Sequence, residues 1–164
     1  MKQLINLIVT PKVFLLYALI CISSVMLGNV PNHPIYIFKA GDGWDLKVDS
    51  AITLIKNTDS VKYSRLLHVC STVDFWTGKF SSNDGIKTIL VSVNDIKLNS
   101  VNNLAAILIH ESMHLYISQN NIQMTLNEEE CQCYMYEFEF LTKLKNLEPW
   151  LLQHTIKQIQ IYSK

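Results

Sequence analysis

Three features of the sequence predict a small α+β domain. Residues 101–118 (VNNLAAILIHESMHLYIS) form an apolar run of helical character that carries His110-Glu111-Ser112-Met113-His114. Residues 86–93 (IKTILVSV) are β-branched and bounded by turn residues, the pattern of a strand. Thr125 then opens a second long helical run, with Glu128 three residues on as a T-x-x-E capping box. A chain of 164 residues is long enough for one domain with one core.

In chain order, residues 13–28 (VFLLYALICISSVMLG) carry no charge and follow Lys2, Pro11 and Lys12. A short apolar core behind lysines reads as a signal peptide or signal anchor over residues 1–28. Either form places the remainder outside the cytoplasm, membrane-anchored through the leader or secreted. Residues 29–43 hold Pro31, Pro34, Gly41 and Gly43 and read as a linker, with residues 34–38 as a short extended piece. Residues 44–164 form the expected domain. Trp44, Val48, Ala51 and Ile55 are spaced for an amphipathic helix over 44–56, and 63–71 suits a second, shorter one. Residues 77–85 are rich in Ser, Asn, Asp and Gly and read as a turn region.

Ser100 is the expected N-cap of the 101–118 helix, and Asn120-Asn121 its stop. The helix opened by Thr125 runs towards Leu147, with an acidic first turn that suits the helix dipole. Pro149 starts a last helix, with Leu151, Leu152, Ile156, Ile159 and Ile161 as its apolar set.

Formal net charge is zero and no basic stripe occurs, so nucleic acid is not an expected partner. Of the four cysteines, Cys21 lies in the leader. Cys70, Cys131 and Cys133 allow at most one disulfide, with Cys70 as the natural partner of one of the others. Cys131 and Cys133 point apart on a helix, so they read as buried thiols rather than as a chelating pair.

Positions i and i+4 of a helix share a face, so His110 and His114 can offer two imidazole nitrogens to one metal ion. Glu111, next in sequence, can take a proton from a water held there, the zinc-peptidase reading of H-E-x-x-H. The segment is apolar nearly all round, and two histidines and a glutamate buried there need partners; a metal provides one.

A catalytic zinc needs a third protein ligand. A short connection makes the two long helices an antiparallel hairpin, which brings Glu128, Glu129 and Glu130 near the end of the first. Glu128 has the capping job. Glu130 is in phase with the core through Cys133, Glu137, Leu141 and Leu144, so it is the first choice and Glu129 the second. His68, Asp74 and His154 are the remaining candidates should no glutamate serve.

HESMH followed by Glu130-Cys131-Gln132-Cys133-Tyr134 resembles the gluzincin arrangement, H-E-x-x-H with a glutamate on the next helix. More closely, LAAILIHESMHLYI with ECQCYMYEFEFL, within residues 86–145, is similar to a group of small bacterial proteins assigned as metallopeptidases. Glu130, Cys133, Tyr134, Glu137 and Phe140 carry the second half of that likeness. Where many gluzincins place an aspartate four residues after the ligand glutamate, this chain has Tyr134. The resemblance implies a minimal zincin-like domain that hydrolyses peptide bonds, with Zn2+ held by His110, His114 and Glu130. It also implies Glu111 as general base and a peptide or protein as substrate. Tyr134, Tyr136 and His154 are candidates for a transition-state donor. The rival expectation is a non-catalytic, zinc-stabilised binding or structural module of the cell envelope, because the short chain leaves little material for a cleft. A third reading is a membrane-associated helical protein with a chance motif.

Overall fold

The computed structural model describes residues 35–39, 42–98 and 100–164. Among them lie four strands: β1 (Tyr36–Ile37), β2 (Thr72–Trp76), β3 (Ser82–Asn83) and β4 (Thr88–Ser92). Six helices accompany them: α1 (Trp44–Thr58), α2 (Ser60–Val69), α3 (Val93–Leu98), α4 (Val101–Gln119), α5 (Leu126–Leu141) and α6 (Pro149–Tyr162). The α+β expectation holds. The leader, residues 1–28, lies outside the described residues, and none of the described helices is long and apolar enough to cross a membrane.

The sheet has the order β1-β2-β4-β3. β1, β2 and β4 run parallel, and β3 pairs antiparallel with β4. The extended piece expected at 34–38 joins the sheet as β1, inside the stretch that reads as a linker. The strand expected at 86–93 appears as β4 and is an interior strand. The free edge on that side belongs to β3, only two residues long. Asp84 N–H donates to the Thr88 carbonyl, so the Asn83–Ile89 pair falls at a non-hydrogen-bonded position of the ladder. The main-chain N–H and C=O of Asn83 therefore face away from β4.

Helix α4 is the centre of the molecule and packs against α1, α2 and α5 while touching β3 and β4. Its core-facing side chains, including Leu104, Leu108, Ile109, Met113 and Leu115, are almost fully buried. Each terminus expected for it is present: the Ser100 side chain accepts from Asn103 N–H, and Asn121 takes a left-handed φ of 52° after the last turn. The capping box of α5 is formed in both directions between Thr125 and Glu128. The helix ends at Leu141, short of Leu147, where the Thr142 hydroxyl bonds back to the Glu139 carbonyl and tighter turns follow at Lys143 and Leu144.

Helix α2 starts earlier than the sequence pattern suggests because Asp59 caps it, accepting from Lys62 N–H. Lys143 also reaches Asp59, which ties α2 to the end of α5. Behind α4, the buried Arg65 guanidinium lies over the rings of Tyr116 and Tyr136, at 4.3 and 4.7 Å, and contacts Met113 Sδ. Two elements depart from expectation. Residues 72–76 are a strand although Asp74 interrupts their apolar character, and residues 93–98 are a short helix rather than a plain connection. In α6, Leu151 and Ile159 are buried as expected, but Ile161 is exposed.

Cys70, Cys131 and Cys133 are free thiols, so the one disulfide that their number allows does not form, and Cys131 and Cys133 are the buried thiols expected. Cys70 sits at the end of α2, where its Sγ donates to the Thr72 carbonyl. Cys131 and Cys133 are buried on α5, which packs on α4 and α6.

Candidate metal centre

The helical spacing of His110 and His114 brings their Nε2 atoms to 3.2 Å from each other. Helix α5 returns antiparallel, so Glu130 in its second turn faces both rings. One Glu130 carboxylate oxygen lies 3.6 Å from His110 Nε2 and the other 3.6 Å from His114 Nε2. Two imidazole nitrogens and the two oxygens of one carboxylate therefore converge. Zinc bonds of about 2.0–2.2 Å in a tetrahedral site put ligand atoms roughly 3.3–3.6 Å apart, so the two imidazoles and the carboxylate suit such an ion.

Each imidazole also has a carboxylate behind it. Glu129 Oε1 lies 2.7 Å from His114 Nδ1, a contact that favours a proton on Nδ1 and turns Nε2 towards Glu130. Glu137 Oε2 lies 3.3 Å from His110 Nδ1, a contact too poorly aligned to count as a formed hydrogen bond. The other Glu137 oxygen accepts from the buried Thr155 hydroxyl of α6 at 2.5 Å. Burial opposes charge on His110, but the Glu130 and Glu137 carboxylates outweigh it and hold the imidazolium up to about 10. Burial likewise opposes ionisation of Glu130, and His110 and His114 together keep its carboxyl below the ordinary range. The metal-free site thus holds a proton among carboxylates, a cation where a metal cation also fits.

Cys133, one turn after Glu130, is a second candidate for the third ligand. Its Sγ and one ligand atom from each histidine lie within 4.8 Å of one another. Glu130 presents a separate carboxylate oxygen to each ring at 3.6 Å, and Cys133 presents one sulfur near both, so either side chain can furnish the third ligand. Burial and the surrounding carboxylates Glu130, Glu129, Glu111 and Glu137 push the thiol well up, so it stays protonated without a metal.

Glu111 is buried with 7% of its surface exposed, and its Oε2 accepts from Asn83 Nδ2 at 2.8 Å. It lines a cleft of about 310 Å³ together with His110, Tyr134, Glu137 and His154, between the exposed rings of Phe80 and Trp150. The Tyr134 ring lies 4.3 Å from that of His110 and stacks on Tyr162. Burial, with Glu137 and Glu130 nearby, pushes its hydroxyl up, so it is a phenol and a potential donor. Tyr136 points to the opposite side of α5, beneath Lys62 and Arg65, and so does not serve the cleft.

The sequence-level alternatives for a ligand fall away from the cluster. His68 is exposed on α2, and Asp74 lies on β2 with its carboxylate accepting from Phe75 N–H. His154 lines the cleft, 6.5 Å ring to ring from Tyr134. The contacts of Asn83, Glu137 and Thr155 escaped sequence reasoning. Glu137 has a signal, since it lies seven residues from Glu130 on the same helical face; Asn83 has none beyond a turn-forming N-D-G. Comparison with protein-family models, curated proteins and solved structures gave no match.

Proposed function

We propose that the protein is a zinc-dependent metallopeptidase of the gluzincin type. The observation that carries this reading is the triangle of His110 Nε2, His114 Nε2 and the Glu130 carboxylate, with Glu111 beside it in an open cleft. When bound, zinc supplies Lewis acidity, polarising a substrate carbonyl and lowering the pKa of water. Glu111 accepts the proton of the attacking water and passes it to the leaving amine. Glu129 holds the His114 imidazole in the tautomer that presents Nε2, and Glu137 lies behind His110 Nδ1. Tyr134 and His154, facing the same space, are the groups able to donate to a developing oxyanion. Phe80 and Trp150 offer apolar contact to a peptide chain. The lysine-flanked leader supports a site of action outside the cytoplasm, with the leader as signal or membrane anchor.

The test is zinc content by elemental analysis of a chain beginning at Asn29, alongside hydrolysis of a peptide library. About one zinc per chain and turnover that Glu111→Gln abolishes are expected. A chain that retains no zinc overturns the reading, as does a zinc-loaded chain without turnover.

One observation favours a second reading. If Cys133 joined His110, His114 and Glu130, four protein ligands would close the site and make it structural, as in a zinc-stabilised envelope module. The cobalt-substituted protein distinguishes the two. A thiolate ligand gives an intense near-ultraviolet charge-transfer band, which a site of two imidazoles and one carboxylate lacks.

A further inference from the structure

We infer that Asn83 is a positioning residue for Glu111, holding its carboxylate by a donor whose direction the chain has already fixed. This rests on the reading of Glu111 as the proton acceptor. A free carboxamide can turn either end towards a neighbour. Here the Oδ1 end is occupied, because Gly85 N–H donates to it at 3.0 Å. The NH2 end is then the one presented to Glu111, and it meets Oε2 at 2.8 Å.

The loop that carries Asn83 is itself anchored. Asp84 Oδ1 accepts from the N–H groups of Ile86, Lys87 and Thr88, each at 2.8 Å. The Ser118 hydroxyl donates to the Gly85 carbonyl at 2.9 Å, and the Gln119 amide reaches the Ile86 carbonyl. Gly85 has φ +71°, a left-handed conformation in which a side chain is strained, so this turn favours glycine. Two contacts from the end of α4 therefore clamp the β3–β4 turn onto the same helix that carries Glu111. The base and the amide that holds it are parts of one rigid frame.

An amide donor to a buried carboxylate fixes one oxygen and leaves the other free to work. A more mobile Glu111 would reach the water less often in the right orientation, which lowers turnover without changing substrate or metal binding.

The discriminating variant is Asn83→Asp. It keeps an oxygen to accept from Gly85 N–H, so the turn survives, but it removes the donor to Glu111. With the zinc-loaded protein and the best peptide from the library, kcat is expected to fall about ten- to a hundredfold, with KM and zinc content unchanged. The stability of the pair is read separately by melting curves. Asn83→Asp sets two carboxylates against each other and lowers Tm, and adding Glu111→Gln restores a donor and an acceptor in reversed order and recovers it. Wild-type kcat in Asn83→Asp overturns the inference alone, as does a double variant that recovers nothing. A zinc-loaded wild type with no turnover overturns the functional reading and the inference with it.

Discussion

Glu129 Oε1 lies 2.7 Å from His114 Nδ1, while Glu130, the next residue, faces His114 Nε2 at 3.6 Å. One imidazole thus has adjacent glutamates on its two nitrogens, Glu129 at Nδ1 and Glu130 facing Nε2. Zinc affinity is expected to separate them. Glu130→Gln removes an anionic ligand and should give the largest loss. Glu129→Leu should weaken zinc by about ten- to a hundredfold, the scale of a lost orienting carboxylate, and Glu129→Gln by less because its carbonyl still accepts from Nδ1–H. Glu128→Gln preserves the capping box and should change nothing. A competition titration with a chromophoric chelator on all four ranks them.

Thr155 extends the same logic to α6. Thr155→Val removes the hydroxyl that Glu137 accepts and leaves a buried carboxylate short of a donor. Reduced zinc affinity and a lower Tm are expected, with Thr155→Ser close to wild type in both. Equal chelator curves for Thr155→Val and wild type would show that Glu137 holds His110 without help.

Metal binding should release a proton. His110 is held up to about 10 in the metal-free site, so at pH 7 it is protonated, and zinc must displace that proton. Calorimetry in buffers of different ionisation enthalpy should show at least one proton released at about pH 7. Affinity should rise about tenfold per pH unit towards 10 for one displaced proton. The sign for stability runs the other way. A raised pKa means the imidazolium's stabilisation is fully present below its ordinary value of 6.5 and is lost as pH rises through about 10. The metal-free protein should therefore melt lower at about pH 10 than at about pH 7.

The two helices of the hairpin were legible in the sequence because their signals are local. An i, i+4 histidine pair can only meet on a helix, and Thr125 with Glu128 marks the start of α5 to the residue. That Glu130 faces the two histidines followed from its phase with Cys133 and Glu137 plus the shortness of the connection. The contacts that cross between elements were not legible. Nothing in the order of residues says that Asn83, on a two-residue strand, meets Glu111, or that Thr155 meets Glu137. Likewise Asp74 hid strand β2, because a strand paired on both edges is recognised by its neighbours, not by its own polarity. The cysteine count invited a disulfide, but Cys70 lies at the end of α2, while Cys131 and Cys133 belong to the layer between α4 and α6.

Acid should weaken the junction of α2 with α5. Burial opposes the Asp59 carboxylate, but Lys143, with Lys62, outweighs it and lowers its pKa below the ordinary 3.8. A lowered pKa gives stability that is present above that ordinary value and is lost as pH falls through the folded one. Asp59→Asn keeps an N-cap but drops the charge, so its Tm should fall less steeply between about pH 5 and 2 than that of wild type. Asp59→Ala should cost about 1 kcal/mol at neutral pH, chiefly from the lost cap.

Consecutive residues on a helix point about 100° apart, so Glu128, Glu129 and Glu130 are sorted by angle rather than by chemistry. Three identical side chains become a cap, a partner of His114 Nδ1 and a group facing both histidine Nε2 atoms solely through where α5 begins. The segment is therefore indexed by Thr125. A residue inserted between Thr125 and Glu128 would hand each carboxylate its neighbour's bearing, although the composition of the site would be unchanged.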